Sequence, residues 1–230
     1  GDPAVVFGTS FVFEKKITHA NLTITAMGVY EARLNGRRVG QFVMAPGWTS
    51  YHKRLQYQKY NITDLLTNGK NEIEVTVGKG WYRSPLPGWL GCAYQDELRS
   101  RPCGLAAQIT LTFEDGSSKI LSTDESWKVS DGPVRFSEIY DGEIYDSAKT
   151  PLLDQPVTIF DGPTDTLILQ QGEEVCEQER LAVKKVFVTP NGETVLDFGQ
   201  NMTGYVELFV NAKAGDCVDL SFAEVMDKEG

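Results

Sequence analysis

The segment EIYDGEIYD, residues 138–146, concentrates the residue types that could do acid and base chemistry. It holds four carboxylates, those of Glu138, Asp141, Glu143 and Asp146. Two such groups can serve as general acid and general base, and carboxylate oxygens also bind calcium. The segment is therefore a candidate site for either chemistry, although its spacing does not match the twelve-residue calcium loop.

Turn chemistry gives a structural interpretation of the same segment, and the sequence favours it. Asp141-Gly142 suits a tight turn, and the carboxylates of Glu143 and Asp146 can bond nearby backbone amides. In this interpretation the rings of Tyr140 and Tyr145 pack inward.

The segment GKGWYRSPLPGWLG, residues 78–91, could bind a sugar through its aromatic rings. The C–H groups of a pyranose form an apolar patch that fits an aromatic face, while its hydroxyls need polar groups nearby. Because a Trp directly after a Val-rich strand is usually buried, Trp81 and Tyr82 are predicted to form the fold. The candidate carbohydrate contacts in this loop are Trp89, Tyr94, Arg83, Asp96 and Glu97.

Two further tryptophans are predicted to be structural. Trp48 follows Pro46-Gly47 and is interpreted as a staple under a crossing loop, and Trp127 opens a strand and is assigned to the core.

Motifs of other enzyme classes are absent from the sequence. It contains no G-x-S-x-G elbow, H-E-x-x-H motif, phosphate loop or dinucleotide fingerprint. The four cysteines lack the spacing of a zinc site, and free thiols are predicted rather than a bridge between Cys92 and Cys103. No cofactor or metal is predicted from these residues, and with two histidines any proton transfer would depend on carboxylates.

Charge and hydropathy argue against two classes of partner. The sequence has 22 Lys and Arg residues against 32 Asp and Glu residues, and its formal net charge of -10 repels a phosphate backbone. Its apolar runs are shorter than the ~20 residues of a membrane helix, and no charged and then apolar leader opens the chain. Nucleic acid and membrane are therefore not expected as partners.

Strands must position these groups, because apolar and polar residues alternate along most of the chain. This period is typical of half-buried strands and recurs at residues 22–26, 73–77, 109–113, 206–210 and 218–222. Turn pairs such as Asn35-Gly36 separate the strands, and one helical turn is predicted near residues 62–66. The predicted fold is all-β, a jelly-roll-like antiparallel β-sandwich followed by a second, incomplete β-sandwich portion.

The strand pattern lapses in TPLLDQP, residues 150–156, where prolines suit a connecting segment. The predicted domains are a sandwich at residues 1–150 and, at residues 151–230, a linker with the start of a second sandwich. About five strands are predicted between residues 167 and 230.

Three stretches together resemble the bacterial α-L-rhamnosidases, large modular glycoside hydrolases whose β-sandwich modules precede a helical catalytic barrel. The stretches are residues 24–66 with VGKGWYR after them, IYDGEIYDSA at 139–148, and DFGQNMTGYVELFV at 197–210. They occur in the order of the family and cover most of the chain.

The resemblance implies that residues 1–150 are the family's N-terminal sandwich and that a second module opens after them. It also implies release of terminal L-rhamnose by an inverting mechanism, with both catalytic carboxylates on an (α/α)6 barrel after Gly230. The sequence is therefore expected to hold no catalytic residue and to be inactive alone. Its expected partners are rhamnose-containing carbohydrate and the C-terminal barrel of the same chain.

Calcium is a further implication of the resemblance, since some relatives of this sandwich bind L-rhamnose with its help. This sequence has Tyr51-His52-Lys53 where relatives often have Tyr-Asp, and a lysine is a poor neighbour for a divalent cation. Two other functions stay open, a free-standing carbohydrate-binding module and a purely structural sandwich. The location also stays open, as bacterial cytoplasm or as a secreted or periplasmic site.

Overall fold

The computed structural model describes residues 2–86 and 91–225, without the side chains of residues 94 and 95. By its internal contacts the chain divides into two units, Gly1–Cys176 and Glu177–Gly230. Among the described residues, no helix is both long and apolar enough to cross a membrane.

The first unit is built almost entirely of strands, as the alternation predicts. Its strands are β1 Val5–Phe13, β2 Ile17–Met27, β3 Val29–Leu34, β4 Arg37–Arg38, β5 Leu55–Asn61, β6 Gly69–Gly78, β7 Gly104–Phe113, β8 Ser118–Ser122, β9 Lys128–Asp131, β10 Val134–Glu138, β11 Gly142–Tyr145, β12 Gln155–Pro156 and β13 Leu167–Leu169. Two short helices, α1 Gly80–Arg83 and α2 Ala93–Ser100, lie between β6 and β7, and 3-10 turns occur at Thr63–Leu65 and Thr164–Thr166.

Two sheets enclose the core of this unit. One has the strand order β12-β9-β1-β6-β3-β4 and the other the order β13-β5-β2-β7-β8, while β10 and β11 form a separate hairpin. Every pairing is antiparallel except the parallel pairing of β13 with β5. Leu22 and Leu111 of one sheet and Val75 of the other are fully buried in a shared cluster. The predicted antiparallel sandwich is confirmed.

The segment after β11 packs onto both sheets, through β12 on one and β13 on the other. Two glycines make room for it. A Cβ atom at Gly8 would lie 2.5 Å from Leu153 Cδ1, and one at Gly104 would lie 2.7 Å from Phe160 Cζ. Residues 151–176 therefore belong to the first unit by their contacts, and the predicted module boundary at residue 150 stays a prediction.

A buried asparagine joins two turns at one end of the sandwich. Asn71 is fully buried, and its Oδ1 accepts hydrogen bonds from Asn35 Nδ2 and from the Thr67 amide, both at 2.8 Å. Its Nδ2 donates to the carbonyls of Thr67 and Gly69 at 2.8 and 3.1 Å. The Asn35-Gly36 pair makes the predicted turn between β3 and β4, with both residues at positive φ. The carboxamide of Asn71 ties this turn to the loop before β6.

The second unit contains one hairpin, of β14 Lys185–Val188 and β15 Thr194–Asp197. The alternating residues at 206–210 and 218–222 lie outside any strand and are exposed. Three strands instead of about five lie between residues 167 and 225, so this part of the strand prediction was wrong. Alternation predicts a strand only where a neighbouring strand supplies hydrogen bonds, and the described residues supply none here.

Candidate functional site

The segment that carries the predicted sugar contacts contains α1 and α2, and neither helix was predicted from the sequence. Arg83, at the end of α1, donates from Nε and Nη2 to the Arg99 carbonyl at 3.3 and 3.2 Å, which joins α1 to α2. The signal for α2 was present in AYQDELRSR, residues 93–101, which lacks Gly and Pro and places Asp96 before Arg99 and Glu97 before Arg101 at helical spacing.

The predicted sugar contacts fall into three groups. Trp89 lies outside the described residues, and Tyr94 lies on α2, where the structure does not describe its side chain. Asp96 and Glu97 are exposed on α2, whereas the Arg83 guanidinium is partly buried against the Arg99 carbonyl. The structure therefore brings Arg83 next to α2 and leaves the two carboxylates at the surface.

An aromatic stack beside these helices was not predicted. The rings of Trp48 and Trp81 are parallel, with an interplanar angle of 2° and centroids 6.1 Å apart. Trp48 is 52% exposed, so its assignment as a buried staple was wrong. The loop of Trp48 places its ring against the face of Trp81, and Trp81 itself is half-buried. A Trp can cover a neighbouring ring and still contact water. The prediction that Trp127 belongs to the core is confirmed.

A buried tyrosine pair supports the stack from beneath. Tyr51 and Tyr82 meet edge to face at 5.2 Å, and the Tyr82 hydroxyl donates to Met27 Sδ at 3.4 Å. Tyr82 is 2% exposed, which confirms its predicted structural role, and this burial raises the pKa of its hydroxyl. These rings form a second small core with Leu55, so the stack rests on a fixed base.

Polar side chains of α2 and of the Trp48 loop pair with one another beside the same small core, which also contains Leu98 of α2. Glu97 Oε1 on α2 pairs with the Arg101 guanidinium, and its Oε2 lies 3.5 Å from His52 Nε2. His52 and Trp48 come from one loop, and Glu97 comes from another. We call this face of Trp48, Trp81, His52, Glu97 and Arg101 the aromatic surface.

The acidic segment forms the hairpin of β10 and β11, as turn chemistry predicts, with Gly142 at positive φ. Tyr140 and Tyr145 are 63% and 60% exposed, so the prediction that they pack inward was wrong. Every residue of β10 is half-buried, whereas Tyr140 lies in the turn and Tyr145 on β11, whose residues are all exposed. The side chain of Glu138 is buried, and its Oε1 lies 2.6 Å from Lys79 Nζ.

A small cavity lies beside α1. It measures about 220 Å³ and is lined by Phe7, Lys79, Arg83 and Cys103 among others. Burial raises the pKa of the Cys103 thiol, although Arg83 Nη1 lies 4.0 Å from Sγ and favours the thiolate. All four cysteines are free thiols. In the part of the chain that the structure describes, no three His, Cys, Asp or Glu side chains are grouped to hold a metal ion.

Comparison with known proteins gives two family matches. Residues 15–179 match the alpha-L-rhamnosidase N-terminal domain, and residues 187–230 match the bacterial alpha-L-rhamnosidase concanavalin-like domain.

Curated relatives and solved structures agree with these matches. An alpha-L-rhamnosidase of Streptomyces avermitilis is 36% identical over 94% of the chain, and one of Formosa agariphila is 32% identical over 96%. The chain covers 22% and 24% of their lengths, so it spans about a quarter of these relatives.

Two crystal structures share the fold. The native rhamnosidase of Aspergillus terreus superposes with a TM-score of 0.78 at 39% identity, over 87% of this chain and 24% of that one. The Streptomyces avermitilis enzyme complexed with L-rhamnose gives 0.74 at 33% identity, over 87% and 20%. The chain belongs to the bacterial α-L-rhamnosidase family and corresponds to the N-terminal part of its members.

Proposed function

We propose that the chain is the non-catalytic N-terminal part of an enzyme that releases terminal L-rhamnose from glycans or glycosides with inversion. The observation that carries this proposal is the match of nearly the whole chain to about a quarter of proteins named alpha-L-rhamnosidase. The general acid and the general base are assigned to a barrel further along the parent polypeptide.

The acidic hairpin is consistent with the assignment of catalysis to the barrel, because its carboxylates are poorly placed for catalysis. Glu138 is held in an ion pair with Lys79, and Asp141 and Glu143 are exposed to water. An inverting enzyme needs two carboxyl groups on opposite sides of a bound sugar, one protonated and one ionised. A buried ion pair beside two solvated carboxylates does not provide that arrangement.

An assay on an aryl α-L-rhamnoside tests this assignment directly. We expect the 230-residue chain to give no turnover above the buffer rate, because the catalytic pair is absent from it, and the full-length parent to hydrolyse the substrate. NMR of the first product should show inverted anomeric configuration. Turnover by the chain alone, or retention in the parent, would contradict the proposal.

A second part of the proposal is that the first unit contacts rhamnose-containing carbohydrate at the aromatic surface. An exposed tryptophan face fits the apolar C–H groups and the methyl group of L-rhamnose. Glu97, His52 and Arg101 at its edge can bond the sugar hydroxyls. Of the other predicted contacts, Arg83 lies on α1 and Asp96 lies on α2. Trp89 and the side chain of Tyr94 lie outside the described residues and stay predictions. The rhamnose complex of the Streptomyces avermitilis relative supports the choice of sugar.

Calorimetric titration of the chain with L-rhamnose tests this contact. We expect a dissociation constant of about 1 mM, since an open surface buries little of the sugar, and at least a tenfold loss in Trp48→Ala. Phe222→Ala removes another exposed aromatic ring, in the second unit, and should bind like the unaltered chain. Titration of Trp89→Ala with L-rhamnose tests whether Trp89 contacts the sugar. Titration of the unaltered chain with L-rhamnose in the presence of calcium tests whether the metal is needed for binding.

The outcomes of this titration separate three functions. Binding by the chain combined with an active parent supports the proposal, and binding with no activity in the parent indicates a free-standing carbohydrate-binding module. If no sugar binds and Trp48→Ala leaves the kinetics of the parent unchanged, the first unit is a purely structural sandwich.

A further inference from the structure

The hairpin of β10 and β11 stands apart from both sheets of the sandwich. Among the described residues its strands pair only with each other, from Val134 opposite Tyr145 to Glu138 opposite Gly142. It joins the sandwich at its base, where the Ala4 amide donates to the Val134 carbonyl at 3.1 Å. A hairpin of this size buries too little surface to be stable alone, so it must be held from outside.

The exposed part of the hairpin is unusually apolar. Tyr140, Ile144 and Tyr145 are 63%, 60% and 60% exposed and lie within six residues of one another. Ile144 and Tyr145 are consecutive on β11 and face opposite sides of the hairpin, so this exposed edge strand offers apolar groups on both of its sides, next to Tyr140 in the turn. Asp141 and Glu143 lie between these residues and are exposed as well. The surface therefore combines three large apolar groups with negative charge.

The turn end of β10 is fixed by a buried ion pair. The Glu138 and Lys79 side chains are only 5% and 15% exposed, with 2.6 Å between Oε1 and Nζ. Glu138 Oε2 is buried and has no hydrogen-bond partner among the described residues. The Ile139 amide also donates to the buried Ser84 Oγ at 3.4 Å.

This ion pair orients the hairpin more than it stabilises the fold. Desolvating two charges costs several kcal/mol, and the attraction of the pair does little more than offset that cost. What the pair does provide is a single orientation for the hairpin, because Glu138 has no other cation within reach in the described residues. A surface held in one orientation loses less entropy when it binds.

We propose that the hairpin docks the first unit onto the catalytic part of the same polypeptide, at a basic and apolar patch. The inference rests on the proposed function, since it needs a catalytic part. The curated relatives are about four times as long as this chain, so a parent of that length can supply the partner surface within one polypeptide. The aromatic surface is assigned to sugar binding. The hairpin is a second exposed apolar surface, and it is held in one orientation. Its carboxylates select a partner surface with Lys or Arg.

Hydrogen exchange tests the docking by comparing the 230-residue chain with the full-length parent. We expect the amides of residues 140–145 to exchange about tenfold more slowly in the parent, because the docked hairpin is shielded and opens less often. Tyr140→Ser combined with Tyr145→Ser should abolish this difference in the parent. Ile120→Ser alters another exposed apolar side chain, on β8, and should leave the difference intact.

A second variant tests the role of the ion pair. Glu138→Gln keeps the shape of the side chain and removes its charge, so the hairpin amides should exchange several times faster even in the isolated chain. The Ile109 and Leu111 amides of β7 report whether the sandwich is still folded, and they should not change.

Three results would overturn the docking. Equal exchange of the hairpin in chain and parent excludes it, protection that grows with the concentration of the isolated chain assigns the surface to a second copy, and protection on adding L-rhamnose assigns it to sugar. Turnover of the aryl rhamnoside is measured in parallel on the parent. A protected hairpin in an inactive parent refutes the proposed function and, with it, the catalytic part as the docking partner, while an unprotected hairpin in an active parent refutes the docking alone.

Discussion

Asn71→Ala is expected to destabilise the first unit by about 2–4 kcal/mol, more than any surface change in the chain. The substitution removes a buried carboxamide that makes four hydrogen bonds. The Thr67 amide and the Thr67 and Gly69 carbonyls then lose the partner that the buried carboxamide supplied, at a site where Thr67 is exposed and Gly69 is half-buried. Each buried group without a partner costs about 1–3 kcal/mol, whereas the hydrogen bond itself contributes about 1 kcal/mol net.

Urea unfolding followed by tryptophan fluorescence measures this loss. All four tryptophans of the sequence, at positions 48, 81, 89 and 127, precede residue 177, so fluorescence reports on the first unit alone. Asn71→Asp keeps the acceptor oxygen, loses both donated bonds and buries a charge, and should be destabilised at least as much. Asn21→Ala, which loses a bond to the exposed His19 ring, should stay within about 0.5 kcal/mol of the unaltered chain. A loss for Asn71→Ala as small as that would show that water replaces the carboxamide.

The sequence predicted the turn at Asn35-Gly36 but not the residue that fixes it. Asn-Gly is a local signal, because positive φ at both residues suits few other pairs. Asn71 lies 36 positions further on and looks like an ordinary polar residue before a strand. Asn71 is buried because two turns that are distant in sequence meet in space. A pattern of neighbouring residues carries no information about such a meeting.

The candidate site shows the same division between local and spatial information. The buried Tyr82 followed from its place directly after a strand, because the end of a buried strand leads into the core. The stack of Trp48 on Trp81 joins residues 33 positions apart, and neither segment indicates the other. An aromatic residue next to Pro-Gly is compatible with a buried ring and with an exposed one, so the local pattern at Trp48 could not decide between them.

Leu22→Ala is the second change with a large expected effect, about 2–5 kcal/mol in the same fluorescence measurement. Leu22 is fully buried between the two sheets, and its truncation leaves a cavity among residues of both. Phe209→Ala removes a larger side chain in the second unit, yet calorimetry of the 230-residue chain, which follows both units, should show a change of no more than about 0.5 kcal/mol, because the ring is 87% exposed. Equal losses for the two variants would show that Phe209 is buried in solution.

The contrast should disappear in the full-length parent. Residues 187–230 match a concanavalin-like domain, and we expect the segments of Phe209, Val210 and Phe222, which lie outside any strand in this structure, to form strands there that other strands cover. Calorimetry of the parent is therefore expected to show a loss of about 3–5 kcal/mol for Phe209→Ala, comparable to the loss for Leu22→Ala. Phe209 lies between Leu208 and Val210, so in a strand it faces the side opposite the alternating residues Val206, Leu208 and Val210, and its burial requires a cover on that side as well. If Phe209→Ala leaves the parent as stable as before, no facing layer covers that side of the segment in that domain.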